Sequence, residues 1–402
     1  MRVDERRIAA RKLLPGMYVC RLDRAWEGTP FPLQGFMADS QEQLDWVGAN
    51  CNAVWVDISL GIAPADGTRN QVPESELLGA QHYRNTAEFA EELPQAREAL
   101  ADTTRAATRL IDEAAAGGKL GPEEVREAVE PVVQSILRNA DTLFWVNTLR
   151  ASAGYAYSHA INCSMLAAAF GRHLGLPSGL LVDLASGGLL LDIGKTRLPE
   201  SLVTRPAALS PPEMAQVRGH VLHGAEMLES SDGHPPEVVA MVRTHHERWD
   251  GTGYPKGLGG LEIPLYGRIA AIVDAFDAMT SPRPWAPPRS RHLALQELYA
   301  GRDGAFQGEL VEQFISCLGV FPTGSLVELD NGQVAVVMTQ NPSRRLRPRV
   351  MLLTGPDKQL LAQFQPMDLM DQPGDVPVAE QVNVVAALPV GAYGLDPAEL
   401  YL

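Results

Sequence analysis

The sequence predicts a multidomain α+β chain in which a central all-α bundle is flanked by a small N-terminal α+β domain and a C-terminal β-rich segment. Three observations predict it. At 402 residues the chain is too long for one ordinary core, so two to four domains are expected. Its apolar fraction of 45% and charged fraction of 21% are those of a globular protein. Short strand-like runs with turn residues fall at the two ends, and apolar spacing of helical period fills the middle.

Residues 1–72 mix the runs Met17-Tyr18-Val19-Cys20 and Ala53-Val54-Trp55-Val56 with the turn signals Pro15-Gly16 and Thr29-Pro30, which predicts the small α+β domain. Residues 73–150 turn to Ala, Glu and Arg. Ala106, Leu110 and Ala114 recur at helical spacing, Gly117-Gly118 breaks the pattern, and Gly121-Pro122-Glu123-Glu124 opens the next helix. This segment is expected to be a helical connector that packs onto the bundle or mediates dimerisation.

Residues 151–322 read as almost wholly helical. Ser210-Pro211-Pro212-Glu213 is a capping box, and the helix it opens is expected to carry His220 and His223. Ile269, Ile272, Val273, Phe276 and Met279 draw an apolar stripe around Asp274. Across residues 323–402, Ser325–Leu329 and Gln333–Met338 flank Asn331-Gly332, a hairpin signal, and Arg349–Leu353 is a further strand.

Composition also excludes. Cys20, Cys51, Cys163 and Cys317 are widely spaced with no Cys-x-x-Cys pair, which argues for reduced thiols and against a disulfide framework or zinc knuckle. The charged N-terminus lacks the apolar core of a signal peptide, and Gly179–Ile193 is too short and too interrupted to span a bilayer. A cytoplasmic protein without membrane contact is expected. A net charge of −15 argues against DNA binding but leaves room for a small anionic ligand at a site whose positive charge comes from metal ions.

Seven of the nine histidines lie between His159 and His246. Taken singly, a histidine such as His173 or His223 is more often a satisfied structural residue than a ligand. Within the helical segment, however, His159, Asp192, His220, His245, His246 and Asp274 form a candidate ligand set. Imidazole with carboxylate suits iron, manganese, zinc or nickel, and a metal pair is a recurrent device for attack on phosphodiesters. His245 and His246 diverge by about 100° on a helix, so two ligands there require a helix end or a metal pair.

The string His245-His246-Glu247-Arg248-Trp249-Asp250-Gly251-Thr252-Gly253-Tyr254-Pro255 resembles the signature of the HD-GYP domains, a branch of the HD phosphohydrolases. The resemblance runs over residues 151–322, through Tyr155–His159, Asp192-Ile193-Gly194-Lys195 and Arg268–Ser281. Leu14–Tyr18 and Pro32–Phe36 resemble a domain of unknown function often found ahead of HD-GYP. The resemblance implies an HD-type bundle and metal-dependent hydrolysis of cyclic di-GMP to pGpG or GMP. It makes His159, Asp192, His220, His245, His246 and Asp274 metal ligands, with Asp192 bridging one or two divalent ions. It places Lys195 near the phosphate and attacking water, makes Arg283 a phosphate ligand, and gives Gly253, Tyr254 and Pro255 the signature loop, a surface for a signalling partner.

The chain departs from the family at three places. Leu191 replaces the histidine of the His-Asp pair, so one metal position keeps His159, Asp192 and Asp274 while the other keeps Asp192, His220, His245 and His246. Tyr155 stands where trinuclear members carry a glutamate, which argues against a third metal. Trp285 and Ala286 replace a tyrosine and a basic residue. Hydrolysis of cyclic di-GMP is the leading expectation. The alternative is a degenerate member that binds cyclic di-GMP or a protein partner without turnover, with Leu191 as the residue favouring it.

Overall fold

The computed structural model describes residues 5–24, 29–31, 35–57, 61–62, 68–69, 78–150, 154–205, 207–283, 287–341, 344–371 and 381–400. The chain divides into two compact units, Met1–Leu78 with Leu318–Ala387, and Gly79–Cys317 with Leu388–Leu402.

The first unit holds two five-stranded sheets among the described residues. Strands β1 (Glu5–Ala9), β2 (Tyr18–Leu22), β3 (Phe36–Met37), β4 (Ala53–Asp57) and β5 (Thr68–Arg69) run in the order β3-β2-β4-β1-β5. Helix α1 (Gln41–Asn50) starts on a capping box in which the Ser40 hydroxyl accepts from the Gln43 amide. Val19, Val47, Val54 and Val56 form the core, with Phe31 stacked on Phe36.

The second sheet uses strands from the far end of the chain: β6 (Leu326–Leu329), β7 (Val334–Thr339), β8 (Arg349–Thr354), β9 (Leu360–Asp368) and β10 (Val384–Leu388), in the order β10-β6-β7-β8-β9. The predicted Asn331-Gly332 hairpin is present, pairing Leu326 with Val336. Gly332 takes the positive φ that such a turn demands.

Helices build the second unit. They are α2 (Phe89–Ala115), α3 (Pro122–Thr148), α4 (Tyr155–His173), α5 (Ser178–Leu190), α6 (Glu200–Val203), α7 (Pro211–Arg218), α8 (His220–Glu229), α9 (Pro236–Thr244), α10 (Leu265–Thr280), α11 (Arg291–Ala300) and α12 (Gly308–Leu318). Ala96, Leu100, Ala107, Leu110 and Ala114 of α2 are buried, as are Val125, Val129, Val132 and Ile136 of α3. The buried Glu92 carboxylate ties the two together, accepting from Ser135 Oγ at 2.7 Å and Arg138 Nε at 2.6 Å. The pair packs onto the bundle: Tyr157 of α4 donates its hydroxyl to Asp112, and Asn147 donates to Asn162.

The fold class is as the sequence predicts. One helix differs. The capping box at Ser210 forms, with Glu213 accepting from the Ser210 amide and hydroxyl. Its helix nevertheless ends at Arg218, so His220 opens a new helix, α8, on which His223 also rides. No helix among the described residues is long and apolar enough to cross a membrane.

Candidate metal centre

Five pieces of the second unit deliver the site. His159 comes from α4, Asp192 from the break after α5, His220 from the first position of α8, His245 and His246 from the end of α9, and Asp274 from α10. After Asp192 the chain makes a short turn of helix, Ile193–Arg197, that seats directly on α8. A Cβ on Gly194 would lie 2.0 Å from the His220 carbonyl oxygen and 2.5 Å from the Gly224 nitrogen. Only glycine lets that turn approach closely enough to bring Asp192 beside His220.

The first group of donors consists of Asp192, His220, His245 and His246. His220 Nδ1 lies 2.7 Å from the Val217 carbonyl oxygen, and His245 Nδ1 lies 2.7 Å from that of Val242. A carbonyl can only accept, so each Nδ1 carries the proton and each Nε2 presents a lone pair. Those two Nε2 atoms are 3.3 Å apart. Asp192 Oδ1 lies 3.2 Å from the first and 4.0 Å from the second, buried and without a hydrogen-bond partner among the described residues.

Burial, then the adjacent His246 and His220, hold His245 well below the usual imidazole range. His246 is lowered to about 4, chiefly by burial, with Asp274 opposing. Three acceptors thus converge with no hydrogen to share, and a cation is what satisfies them. Two ligands on one zinc at ~2.0–2.1 Å stand roughly 3.3 Å apart at a tetrahedral angle. The donors fit a divalent metal.

The second group is His159 and Asp274, with the Cys163 sulfur over the imidazole ring, 3.7 Å from both of its nitrogens. His159 donates Nδ1–H to Asp277 Oδ2 at 2.7 Å, leaving Nε2 to face Asp274 Oδ1 at 3.2 Å and Asp192 Oδ2 at 3.5 Å. Asp192 therefore turns one oxygen to each group, the arrangement expected of a bridging carboxylate. Asp277 is itself held by Asn162 Nδ2 at 2.7 Å and Ser281 Oγ at 3.0 Å. Burial disfavours a charged His159. The Cys163 sulfur and the Asp274 and Asp277 carboxylates more than offset it and raise the imidazole well above its usual range. Lys195 Nζ donates to Asp192 Oδ2. Against the opposing effect of burial, Lys195 and then His220 depress the Asp192 carboxyl well below the usual carboxylate range.

The signature loop is self-supporting. The buried Glu247 carboxylate accepts from the Lys256 amide at 2.8 Å and the Leu258 amide at 3.0 Å, closing the loop on its own start. Asp250 Oδ1 accepts from the Thr252 amide and hydroxyl. A Cβ on Gly253 would meet backbone atoms of His246, Glu247 and Arg248 at 2.4–2.5 Å, so the chain crosses itself where no side chain fits. Tyr254 then packs against His246 with the rings tilted by 30° and centroids 4.7 Å apart, under the Arg218 guanidinium. The peptide bond joining it to Pro255 is cis.

Comparison with known proteins agrees with this arrangement. A family profile described as an HD domain matches residues 132–310, a domain of unknown function matches 5–125, and a KOW domain associated with HD domain matches 326–374. A cyclic di-GMP phosphodiesterase of Pseudomonas aeruginosa is 31% identical over 370 residues, covering 90% of this chain and 89% of the relative. The chain belongs to the HD-GYP phosphodiesterase family. HD-GYP relatives that share less of the chain include a cyclic di-GMP phosphodiesterase of Thermotoga maritima, 32% identical over 40% of this chain and 44% of the relative. A 3'3'-cGAMP-specific phosphodiesterase of Vibrio cholerae is 35% identical over 40% of this chain and 31% of the relative. These relatives are hydrolases by name, and the reading of a binder without turnover gains nothing from them.

As an HD-GYP member the chain brings all six sequence-predicted ligand residues together, with Lys195 among them. Arg283 stands at the edge: its guanidinium lies 5.8 Å from the Tyr155 ring centroid, and Tyr155 stacks on His159 at 5.5 Å. Leu191 is buried at the end of α5 and offers no donor. Trp285 and Ala286 lie outside the described residues.

Sequence reasoning missed three features. Cys163 sits one turn after His159, and that i, i+4 spacing was the signal for it. Asp277, one turn after Asp274, lies in the Arg268–Ser281 stretch that carries the resemblance, but its role in orienting His159 was not read there. The tautomer-setting carbonyls also escaped, although Val217-Arg218-Gly219-His220 and Val242-Arg243-Thr244-His245 repeat one pattern, Val-Arg-x-His.

Proposed function

We propose that this chain hydrolyses cyclic di-GMP to pGpG or GMP with two divalent metal ions, one held by Asp192, His220, His245 and His246, the other by His159, Asp192 and Asp274. The observation that carries the reading is Asp192, whose two oxygens face two separate donor groups, Oδ1 toward His220 and His245 and Oδ2 toward His159. A metal pair supplies an activated water and neutralises charge on the phosphate.

The chain's own residues do the rest. His220 and His245 are fixed as Nε2 donors by Val217 and Val242, and His159 by Asp277. Lys195 places an ammonium beside Asp192, where it can hold a phosphate oxygen and orient the attacking water. Arg283 binds a second phosphate oxygen from the rim. Tyr254 walls the pocket behind His246, and the Gly253-Tyr254-Pro255 loop offers a surface for a signalling partner.

We assign the four sequence segments 1–72, 73–150, 151–322 and 323–402 to a sensor domain, connector, catalytic domain and C-terminal segment. The reading includes a cytoplasmic location, which the four free, widely spaced thiols support, and a homodimer through the connector.

The test is hydrolysis of cyclic di-GMP and, separately, 3'3'-cGAMP by protein loaded with Mn²⁺ or Fe²⁺, followed by chromatography of the products. Release of pGpG that His246→Ala abolishes supports the reading. Binding of cyclic di-GMP without product overturns it, and preferential cleavage of 3'3'-cGAMP reassigns the substrate.

A further inference from the structure

Asp277 orients His159, and Asp277 is held in turn by a line of side-chain amides that ends outside the 151–322 segment. We propose that Asn147 of helix α3 is a positioning residue for the second metal position, acting through Asn162 and Asp277 on His159. The inference rests on the phosphodiesterase reading for the presence of metal, and not for the identity of the substrate.

Spacing sets up the contact. His159 and Asn162 lie three residues apart on α4 and share a face, as do Asp274 and Asp277 on α10. The two faces meet at Asp277, whose Oδ2 takes His159 Nδ1 at 2.7 Å while its Oδ1 takes Asn162 Nδ2 at 2.7 Å. With both oxygens engaged, the carboxylate cannot turn about its Cβ–Cγ bond without giving up a partner.

Chemistry fixes the direction of each bond. A carboxylate accepts, so Asn162 presents its amide nitrogen to Asp277 and its oxygen to the opposite side. There the oxygen needs a donor, and Asn147 Nδ2 supplies one at 2.9 Å. The Asn147 oxygen is itself buried without a hydrogen-bond partner among the described residues. Burying an amide oxygen unpaired is unfavourable, so space filling alone does not account for asparagine at this position. Donation to Asn162 does.

The end of α3 is anchored on both sides. Thr148 Oγ1 accepts from Arg291 of α11 at 3.2 Å, and Arg150 reaches Thr104 of α2 at 3.0 Å. A shift of α2 and α3 against α4 therefore reaches His159 through consecutive hydrogen bonds. The connector is a working part of the metal site.

The experiment is a chelator titration of the full chain loaded with Co²⁺, on wild type, Asn147→Leu, Asn147→Asp, Asn162→Leu and the double leucine variant. Wild type is expected to hold about two ions, the weaker at the position that Leu191 leaves one donor short. Groups that touch a ligand typically account for ~10–100-fold in metal affinity; at one or two removes, Asn162→Leu should lower the weaker midpoint roughly tenfold and Asn147→Leu roughly three- to tenfold. The ion at the His220–His245–His246 position should leave where it does in wild type, which reports that each variant is folded. Because Asn147 acts through Asn162, the double variant should be no worse than Asn162→Leu alone. Asn147→Asp keeps the shape and removes the donor, so it should lose at least as much as Asn147→Leu, whereas a packing role predicts wild-type affinity for it. If Asn147→Leu does not fold, Asn147→Asp decides. Unchanged midpoints, equal losses at both positions or additive losses in the double variant overturn the proposal while leaving hydrolysis of cyclic di-GMP standing. A wild type that takes up no metal overturns both.

Discussion

His159 and Asp277 are 118 residues apart in sequence and joined at 2.7 Å, Nδ1 to Oδ2, at the centre of the bundle. The bond fixes which nitrogen of His159 faces the metal position. Carboxylates placed behind ligating histidines in this way typically account for ~10–100-fold in metal affinity or activity. Asp277→Ala is therefore expected to lower kcat by about that factor and to let a chelator strip metal at lower concentration, with little change in KM. Steady-state kinetics and chelator titration check it. An unchanged chelator midpoint would mean that His159 needs no such support.

Gly194→Ala tests how the two donor groups are brought together. The added methyl would meet the His220 carbonyl oxygen at 2.0 Å, and both partners are backbone. Overpacking at such a contact costs about 1–3 kcal/mol or more. Urea unfolding should show that loss, and metal affinity should fall with it because Asp192 and His220 move apart.

Lys195→Met removes the ammonium beside Asp192 while keeping much of the side chain's length. Preorganised groups facing developing charge are worth ~100-fold or more in kcat. The expected outcome is a fall of that order in turnover with metal content intact. Loss of metal instead would assign Lys195 to holding Asp192 in place.

Acidification should destabilise the metal-free chain between pH 6.5 and about 4. His246 is lowered to about 4 and His245 is lowered too, both by burial first. Below pH ~6.5 the unfolded chain takes up protons that these folded histidines refuse, so stability falls with pH. His159, shifted upward, works the other way, but its contribution is complete below its unfolded value and does not change in this window. Asp192 and Asp274 are lowered, so their contribution is lost only in more acidic solution. For His246 the effect is on the order of 3 kcal/mol, and urea melts of chelated protein should show it flattened in His246→Gln.

Much of the site was legible because its residues announce themselves by type. Six candidate ligands, four of them histidines, fell in one helical segment, and the Asn331-Gly332 turn and the Ser210 capping box placed a hairpin and a helix start. The helix stop was not legible. At Val217 the carbonyl that a continuing helix would offer to residue 221 is taken by the His220 ring, a side-chain event that periodicity does not carry. Strand β9 (Leu360–Asp368) hid for another reason: its residues are largely half-buried or exposed, so no clean alternation marks it. Cys163 was passed over because a buried cysteine on an apolar helix reads as core, and its sulfur packs over the His159 ring.

The two Val-Arg-x-His hydrogen bonds bear on how long a metal stays. Each ring is pinned to a carbonyl in the closing turn of a helix, α7 for His220 and α9 for His245. While that turn is wound, the ring cannot swing about its Cβ–Cγ bond. Residence time at this position is then governed by fraying of a helix end. Dissociation should keep pace with amide exchange at the ends of α7 and α9, slow wherever those turns are protected and quick once they open.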